Sequence, residues 1–366
     1  MTEYRTANSP GHVPFELKDL GCDCEGPLTV AVVILNWNGK EHLRRFLPSV
    51  IEHTPNARII LADNAGTDDS IPFVKEHFPT VDIIALPHNY GYAGGYNRAL
   101  ANLDEDIAVL LNSDVQVTDN WLLPLLEVFA RNPKAAAVQP KIRSLNEPAY
   151  FEYAGAAGGM IDYYGFPFCR GRIFDTLETD SGQYNDTTEV AWASGACLAV
   201  RLTTYRILGG FDDYFFAHME EIDLCWRMRN RGYSVWACGN SHVFHLGGGT
   251  LHKSNPKKTY LNFRNGLYML YRNSPAKGLF ARMFIRLSLD GIAGLRFAMQ
   301  GNFKDLWAIL SAHYSFYMKL QHYTHLRHDD AMNGAVYSGK HIFPGSVVWA
   351  YFKNKVKTYT ELMKQA

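Results

Sequence analysis

Four short apolar runs in the first third of the chain, separated by segments of helical spacing, limit the fold more than any other feature of the sequence. The runs are TVAVVIL at 29–35, ARIILA at 57–62, VDIIAL at 81–86 and EDIAVLL at 105–111. Their length and β-branched content are typical of strands buried on both faces. Between the first two runs, the apolar residues Leu43, Leu47 and Val50 recur with the period of a helix. The alternation predicts an α/β fold with a mostly parallel sheet flanked by helices.

Polar residues close each of the four predicted strands. In chain order they are Asn36-Trp37-Asn38-Gly39, Asp63-Asn64, His88-Asn89-Tyr90-Gly91 and Asn112-Ser113-Asp114. Turn chemistry alone favours Asn, Asp and Gly at any one such position. Four in succession point to more than turns, because ligands of parallel sheets bind beyond the carboxyl ends of the strands. This edge is the predicted ligand site, and it lacks the GxGxxG pattern of dinucleotide-binding oxidoreductases.

The formal net charge of zero conceals two regions of opposite charge. Residues 1–250 contain 19 Lys and Arg against 31 Asp and Glu, whereas residues 251–366 contain 17 against 5. The asymmetry predicts separate tasks for the two regions. A hydrophobic content of 47% excludes intrinsic disorder. No nucleic-acid-binding motif accompanies the basic region, so we do not expect nucleic acid as a partner.

The sequence predicts a cytoplasmic protein that is soluble or at most peripheral to a membrane. Its six cysteines show no CxxC spacing, which argues against a zinc ribbon or a thioredoxin-type pair and favours a reduced compartment. The first residues lack the pattern of a signal peptide. The most apolar late stretch, 279–299, is interrupted by charged residues and does not fit a membrane-spanning helix.

Asp114 and His245 are two candidates for chemistry. Asp114 follows a buried run, so its carboxylate would emerge at the ligand edge, where a hard cation and a diphosphate could meet it. The alternative is a turn aspartate that caps the following segment. His245 precedes three glycines at 247–249, which free the backbone to cross a site. The alternative for His245 is a purely structural histidine.

A third candidate is a group of carboxylates at the start of a helix predicted over 219–230. Acidic residues are favoured there by the helix dipole, and Asp223 with Arg227 forms an ordinary i,i+4 pair. Glu220 and Asp223 share one face of the helix, while Glu221 lies about 100° away from Glu220. At least one carboxylate can therefore point into a cleft and act as a general base towards an acceptor hydroxyl.

Taken together, these residues resemble the family-2 glycosyltransferases of GT-A fold, especially the bacterial rhamnosyltransferase-like branch. The matching segments are VVILNWNG (32–39), ADNAGTDDS (62–70), HNYGYAGGYNRA (88–99), LLNSDV (110–115), WASGACLAVR (192–201), GGFDDYFFAHMEEIDLCWRMRNRGY (209–233) and HVFHLGGGT (242–250). Each motif is moderately specific. Their order and spacing make the resemblance specific from about residue 29 to 275.

The resemblance implies an inverting transfer of a sugar from a nucleoside diphosphate donor. It places Asn36, Asn38, Asp63, Asp68, Asn89, Gly94, Asn112 and Ser113 at the nucleotide-sugar-binding edge. Asp114 stands in the family's DXD-type metal motif and His245 matches a metal-binding histidine, which implies Mg²⁺ or Mn²⁺ as the cofactor. Trp192, Ser194 and Gly195 occupy the segment that approaches the acceptor. Glu221 aligns with the usual base.

Two departures from the family pattern leave roles open. Asn112 replaces the first aspartate of the DXD motif, and Glu221 stands where the base is usually Asp. Because Glu is longer, Glu220 and Asp223 remain alternative bases. Our hypothesis is a metal-dependent rhamnosyltransferase that uses a dTDP-sugar to extend a lipid-linked surface glycan at the inner face of the cytoplasmic membrane. The alternatives are a UDP-hexose-dependent transferase of the same fold and a non-catalytic scaffold that binds a sugar nucleotide or glycan.

We expect an irregular lead-in at 1–28, a GT-A domain at 29–275 and a basic, helical C-terminal region at 276–366. In that last region, Phe280, Phe284 and Leu295 belong to a broad apolar helix face, with Arg282 and Arg286 on a narrower polar one. The apolar face could pack on the catalytic domain or lie in a membrane interface. Lys353, Lys355 and Lys357, beside aromatic residues, would suit an anionic lipid surface.

Overall fold

The computed structural model describes residues 28–247, 255–337 and 339–365 of the chain. Its first part alternates strands and helices: β1 (Val30–Asn36), α1 (Lys40–Glu52), β2 (Arg58–Asp63), α2 (Ser70–His77), β3 (Asp82–Ala85), α3 (Gly91–Leu100), β4 (Ile107–Asn112), β5 (Val115–Val117), α4 (Leu123–Arg131) and β6 (Ala135–Ser144). All four strands predicted from the apolar runs are present. The lead-in predicted at 1–28 lies outside the described residues, apart from Leu28.

The second part of the chain is more irregular before it becomes helical. It contains β7 (Gly159–Asp162), β8 (Pro167–Cys169), β9 (Arg172–Ile173), β10 (Thr176–Leu177), β11 (Thr187–Glu189), β12 (Cys197–Arg201), α5 (Leu202–Ile207), a 3-10 turn (Asp213–Phe215), α6 (Glu220–Asn230), β13 (Ser234–His245), α7 (Pro256–Asn273), α8 (Leu279–Met299), α9 (Phe303–Met332), β14 (Ile342–Phe343), α10 (Val347–Phe352) and α11 (Tyr359–Met363). The helix predicted over 219–230 is confirmed as α6.

The central sheet brings the predicted ligand edge together. Its strand order is β11-β13-β6-β12-β4-β1-β2-β3, with β5 paired to β13. Strands β4, β1, β2 and β3 are mutually parallel. Alternate residues of β1 enter two different cores, with Val33 on one face of the sheet and Val32 on the other. The carboxyl ends of these four strands therefore meet at one edge, as the sequence predicts.

The sequence around residues 233–237 and 242–246 predicts two separate strands, whereas the structure has the single strand β13 there. It is one twelve-residue strand, parallel to β6, with a register irregularity between Cys238 and His242. Residues 239–241 form a bulge there, and pairing with β6 resumes at His242. Its last residue, His245, pairs with Val115 of β5. This pairing carries His245 to the same edge as the end of β4.

The basic C-terminal region contains more than helices. Helices α7 and α9 pack together, and α8 packs against both. Strand β14 pairs with β7 in a second, five-stranded sheet, which the prediction of a helical region did not include. Within the described residues, no helix is long and apolar enough to cross a membrane.

Candidate active site at the carboxyl edge of the sheet

The ends of β1 and β2 are joined by a buried polar contact. The amide of Asn36 donates to Oδ1 of Asp63 over 3.0 Å, and Oδ2 of Asp63 accepts from the backbone of Gly66 over 2.9 Å. The Asn36 Oδ1 atom is buried and, in the described part of the chain, has no hydrogen-bond partner. A Cβ atom at Gly39 would lie 2.4 Å from that oxygen. Any side chain at position 39 would therefore force the buried Asn36 side chain to shift.

Asn38 and Asp68 shape the loops beside this contact. Asn38 has a left-handed backbone with φ of 53°, and its Oδ1 accepts from the backbone of Thr67 over 2.6 Å. Asp68 accepts from the backbone amides of Lys40 and Ser70 over 3.0 and 3.2 Å. Burial opposes ionisation of Asp68, but its hydrogen bonds with Ser70 and Lys40 outweigh that cost and lower its pKa. Asn38 and Asp68 therefore hold the loop after β1 against the loop after β2.

The glycine-rich run after β3 begins helix α3 rather than forming an open loop. Asn89 Oδ1 accepts from the amide of Asn64 over 3.1 Å and from the backbone of Gly91 over 2.9 Å. The backbone amides of Tyr92 and Ala93 donate to the carbonyl of Phe216, and a Cβ at Gly91 would lie 2.5 Å from that oxygen. Gly94 is buried at the same place. The start of α3 is thus packed against the loop that leads to α6.

Asp114, His245 and Glu152 form a buried cluster next to β4. Nε2 of His245 lies 3.1 Å from Oδ1 of Asp114, and Nδ1 lies 3.1 Å from Oε2 of Glu152. Burial disfavours the protonated ring, but the two carboxylates outweigh it and raise the pKa of His245 to about 10. Both carboxyl pKa values are lowered, because contact with His245 outweighs their burial. The three residues are far apart in sequence and are brought together by β4, β13 and the segment after β6.

Asn112 and Ser113 border this cluster. The Asn112 amide lies 3.5 Å from Nε2 of His245, and its backbone donates to the carbonyl of Ala196 over 3.0 Å. Ser113 is partly exposed, and a Cβ at Gly39 would lie 3.6 Å from its Oγ. The end of β4 therefore connects the β1 loop with the His245 cluster.

The three carboxylates of α6 occupy different surroundings. Met219 precedes the helix with φ of 72°. Glu220 is buried and Glu221 is half-buried, and within the described residues one oxygen of each has no hydrogen-bond partner. Burial raises the pKa of Glu221 to about 7. Burial and the neighbouring Glu221 raise the pKa of Glu220 well above its ordinary value. The carboxyls of Glu220 and Glu221 therefore keep their protons at a higher pH than an ordinary glutamate does.

Asp223 differs from the two glutamates. It is completely buried and forms an ion pair of 2.7 Å with Arg227. The Asn273 amide donates to its other oxygen over 2.7 Å. Arg227 also donates to the carbonyls of Leu208 and Gly210 over 2.8 and 2.7 Å. These contacts favour a structural role for Asp223. Together with Arg227, Asp223 holds α6 against α7 and against the loop that precedes α6.

The segment containing Trp192, Ser194 and Gly195 is packed tightly beneath the site. The Trp192 ring is buried and donates from Nε1 to the Met160 carbonyl over 2.9 Å. Ser194 is also buried, and its hydroxyl donates to the Ala154 carbonyl. The Tyr92 hydroxyl donates to the Gly195 carbonyl over 2.6 Å. Of the three, Gly195 is the one joined directly to the start of α3.

Glu152 is the residue of the cluster that the sequence reasoning missed. Within the described residues, no group of three or more His, Cys, Asp and Glu side chains has an arrangement that could hold a metal ion. Asp114 and His245 nevertheless supply facing oxygen and nitrogen donors, and Mg²⁺ or Mn²⁺ commonly takes only one or two ligands from protein. Glu152 follows no motif, and its place is set by strand pairing of Phe151 with Arg143. Only the tertiary structure identifies it.

Comparison with solved structures defines the class of fold. The chain is similar to a crystal structure of GalNAc-T7 with UDP, GalNAc and Mn²⁺, with a TM-score of 0.53 and 18% identity over 68% of this chain and 48% of that one. The central sheet with its polar carboxyl edge is therefore a GT-A glycosyltransferase fold.

Sequence comparison defines the family. The family model for glycosyl transferase family 2 matches residues 31–193. The N-acetylglucosaminyl-diphospho-decaprenol L-rhamnosyltransferase of Mycobacterium tuberculosis is 30% identical over 233 residues, which cover 58% of this chain and 75% of that protein. The O-antigen biosynthesis protein RfbC of Myxococcus xanthus is 24% identical over 247 residues, covering 66% of this chain and 19% of that protein. The chain belongs to glycosyl transferase family 2.

Proposed function

We propose that the protein is an inverting, metal-dependent rhamnosyltransferase that uses dTDP-rhamnose. The observation that carries the proposal is the facing pair of Asp114 and His245 at the carboxyl edge of the parallel strands, 3.1 Å apart. This is the edge at which a nucleoside diphosphate would bind in such a sheet. The similarity to a mycobacterial L-rhamnosyltransferase supports the choice of sugar.

Asp114 and His245 would hold Mg²⁺ or Mn²⁺. The Asp114 carboxylate is an oxygen ligand of the kind that both ions prefer, His245 would add a nitrogen ligand on losing its extra proton, and Asn112 stands beside them with an amide. When bound, the ion would offset the negative charge that develops on the leaving diphosphate. Glu152 would orient the His245 ring, since its carboxylate contacts the nitrogen that does not face Asp114.

Glu221 is the proposed general base. It is half-buried at the start of α6, and its pKa of about 7 suits a group that must take up a proton near neutral pH. Its carboxylate would accept the proton of the acceptor hydroxyl while that oxygen attacks the anomeric carbon. The bond from the anomeric carbon to the diphosphate oxygen breaks on the opposite face, so the configuration inverts and a nucleoside diphosphate leaves.

Glu220 and Asp223 have other roles in this proposal. The pKa of Glu220 is raised well above its ordinary value, which keeps its carboxyl protonated and unsuited to accept a proton. Asp223 is occupied by Arg227 and Asn273. The proposed acceptor is a hydroxyl of a lipid-linked surface glycan at the inner face of the cytoplasmic membrane. The buried segment that contains Trp192, Ser194 and Gly195 would support the acceptor side of the site through its packing.

A panel of nucleotide sugars tests the donor. Purified protein with Mn²⁺ or Mg²⁺ and a membrane lipid extract is incubated with dTDP-rhamnose, UDP-glucose, UDP-galactose and UDP-N-acetylglucosamine, and nucleoside diphosphate release is measured. We expect the highest rate with dTDP-rhamnose. A preference for a UDP-hexose would replace the donor and keep the enzyme class. No turnover with any donor would favour a binding scaffold.

A further inference from the structure

Helix α8 buries three charged residues and exposes several of its large apolar residues. The side chains of Arg282, Arg286 and Asp290 are buried. Phe280 is 86% exposed, and Phe284 and Leu295 are exposed on the same side of the helix. Amphipathic helices of globular proteins normally have the reverse arrangement. The apolar face predicted from the sequence is therefore divided, since Met283 is buried and Leu287 packs against the core while Phe280, Phe284 and Leu295 point outwards.

The buried charges of α8 have partners on both sides of the helix, although Nε of Arg282 and Oδ2 of Asp290 lack a hydrogen-bond partner among the described residues. Arg286 forms an ion pair of 2.9 Å with Asp290 and donates to the carbonyl of Tyr164 over 3.2 Å. The guanidinium of Arg282 lies 4.0 Å from the centre of the Tyr163 ring. Turning the helix over would separate Arg286 from the carbonyls of Tyr164 and Gly165 and Arg282 from the Tyr163 ring, contacts that hold this face of α8 against the rest of the fold. The outward apolar face is thus a stable property of the fold.

Helix α9, which packs beside α8, also exposes apolar side chains, and α10 lies close to the end of α8. Phe303, Trp307 and Tyr314 of α9 are exposed at helical spacing, and Trp307 is 67% exposed. The guanidinium of Arg296, near the end of α8, lies 5.2 Å from the centre of the Phe352 ring of α10. We call the surface formed by Phe280, Phe284, Leu295, Phe303, Trp307 and Tyr314 the apolar hairpin face. An exposed apolar surface of this extent marks an interaction site.

We propose that the apolar hairpin face lies in the interface of a bilayer that contains anionic phospholipids. The face combines aliphatic and phenylalanine side chains with Trp and Tyr, whose amphipathic rings favour the boundary between headgroups and acyl chains. The exposed charged residues nearest these side chains in α8 and α9 are Arg296 and Lys304, and the exposed Lys353 follows α10, whereas the exposed Asp329 lies near the other end of α9. Basic residues at such a boundary are attracted to anionic headgroups.

A second copy of the chain fits this face less well. A twofold contact would place the same patch on both sides of the interface. The exposed basic groups around the face would then lie on both sides of the contact, and like charges across an interface oppose association. An anionic lipid surface instead provides the opposite charge.

The hairpin is also tied to the loop that leads to Glu220 and Glu221. The Tyr323 hydroxyl of α9 donates to Asp212 over 3.1 Å, and Lys319 donates to the Tyr214 hydroxyl over 3.0 Å. The Asn265 amide of α7 donates to the Phe215 carbonyl over 3.0 Å. Binding of the hairpin to a membrane would therefore hold the acceptor side of the site near lipid-linked sugars. This last step rests on the proposed function, whereas the membrane contact itself does not.

Vesicle flotation of the full chain tests the proposal without donor or acceptor. The probes are vesicles of phosphatidylcholine with and without phosphatidylglycerol. The variant replaces Phe280, Phe284 and Trp307 with Ser, and the matched control is Ile207→Ser, since Ile207 of α5 is 62% exposed but lies away from the face. We expect wild type and control to bind the anionic vesicles, and the triple variant to bind more than about tenfold more weakly, because three apolar anchors are removed.

A charge-reversal variant and a measurement of the oligomeric state complete the test. Arg296→Glu with Lys353→Glu should weaken binding to anionic vesicles and remove most of its salt dependence, even if the triple variant folds poorly. Equal binding by wild type and both variants would overturn the proposal. A dimer in solution that the triple variant converts to a monomer, with no vesicle binding by wild type, would assign the face to a second copy instead. If the wild-type protein bound vesicles but transferred no sugar, the result would count against the proposed function and not against the membrane contact.

Discussion

Glu152 lies 3.1 Å from Nδ1 of His245, while Asp114 lies 3.1 Å from Nε2 of the same ring. The histidine is therefore held between two carboxylates, both buried. A carboxylate on one ring nitrogen fixes the orientation of the ring and increases the basicity of the other nitrogen. This relationship gives Glu152 a role in the site without direct contact with the donor.

Replacing Glu152 with Gln should weaken divalent metal binding. The amide keeps the size of the side chain but removes the charge beside His245, and outer-sphere partners of this type contribute about ten- to a hundredfold to metal affinity. Mn²⁺ affinity, followed by the loss of its free-ion EPR signal, measures the effect. Asp114→Asn is the positive control. Unchanged Mn²⁺ affinity in Glu152→Gln would show that the carboxylate only fills space.

Replacing Glu221 with Gln should lower kcat by about 10²- to 10⁴-fold, because the acceptor hydroxyl loses its base. Donor affinity should be unchanged, because Gln keeps the size of the side chain. Residue 221 also lies on α6, whereas the proposed metal ligand Asp114 follows β4. Competition by the nucleoside diphosphate measures binding separately from turnover. Glu220→Gln is the matched control. If the control lost transfer and Glu221→Gln retained it, the base would be Glu220.

The rate should rise with pH through about 7. Burial raises the pKa of Glu221 to about 7 from its ordinary value, so the carboxylate needed as base is scarce below that pH. We expect kcat to increase about tenfold for each pH unit below 7 and to level off above it. Glu221→Gln should show a flat profile over the same range. A wild-type profile that is already flat between pH 5 and 7 would contradict the assignment.

Replacing Asp223 with Ala should destabilise the fold before it affects chemistry. The change leaves the buried guanidinium of Arg227 without its carboxylate, and breaking such a pair costs about 3–5 kcal/mol in the free energy of unfolding. Denaturant unfolding measures the loss, with Glu221→Gln as the comparison variant. Unaltered stability together with abolished transfer would return Asp223 to the list of candidate bases.

Replacing Gly39 with Ala should disturb the nucleotide edge. The new Cβ would lie 2.4 Å from Oδ1 of Asn36, so the Asn36–Asp63 contact must shift, at a cost of about 1–3 kcal/mol. Binding of dTDP measured by calorimetry should weaken. The control is Gly291→Ala, a glycine with nothing within 4 Å of its added Cβ and without a positive φ. Normal dTDP affinity in Gly39→Ala would argue that this contact does not shape the site.

The sheet and its polar edge could be predicted because their signals are local. Apolar runs of strand length lie between helical segments, and the residues that close β1, β2 and β4 meet in the structure at one edge. Glu152 could not be found in this way, since its contact with His245 joins segments 93 positions apart in the numbering. The sequence also left open which residues of α8 are packed and which point outwards. The orientation of α8 depends on carbonyls of Tyr164 and Gly165, which no helical pattern reveals.

Nucleoside diphosphate release from dTDP-rhamnose, with membrane lipid extract as the source of acceptor, tests the central claim most directly. Wild type is compared with Asp114→Asn and Glu221→Gln, each with Mn²⁺ and with excess EDTA. We expect wild type to turn over with Mn²⁺, to lose most activity in EDTA, and both variants to be strongly impaired. Equal rates for wild type with Mn²⁺ and in EDTA, or full activity in Asp114→Asn, would contradict the account.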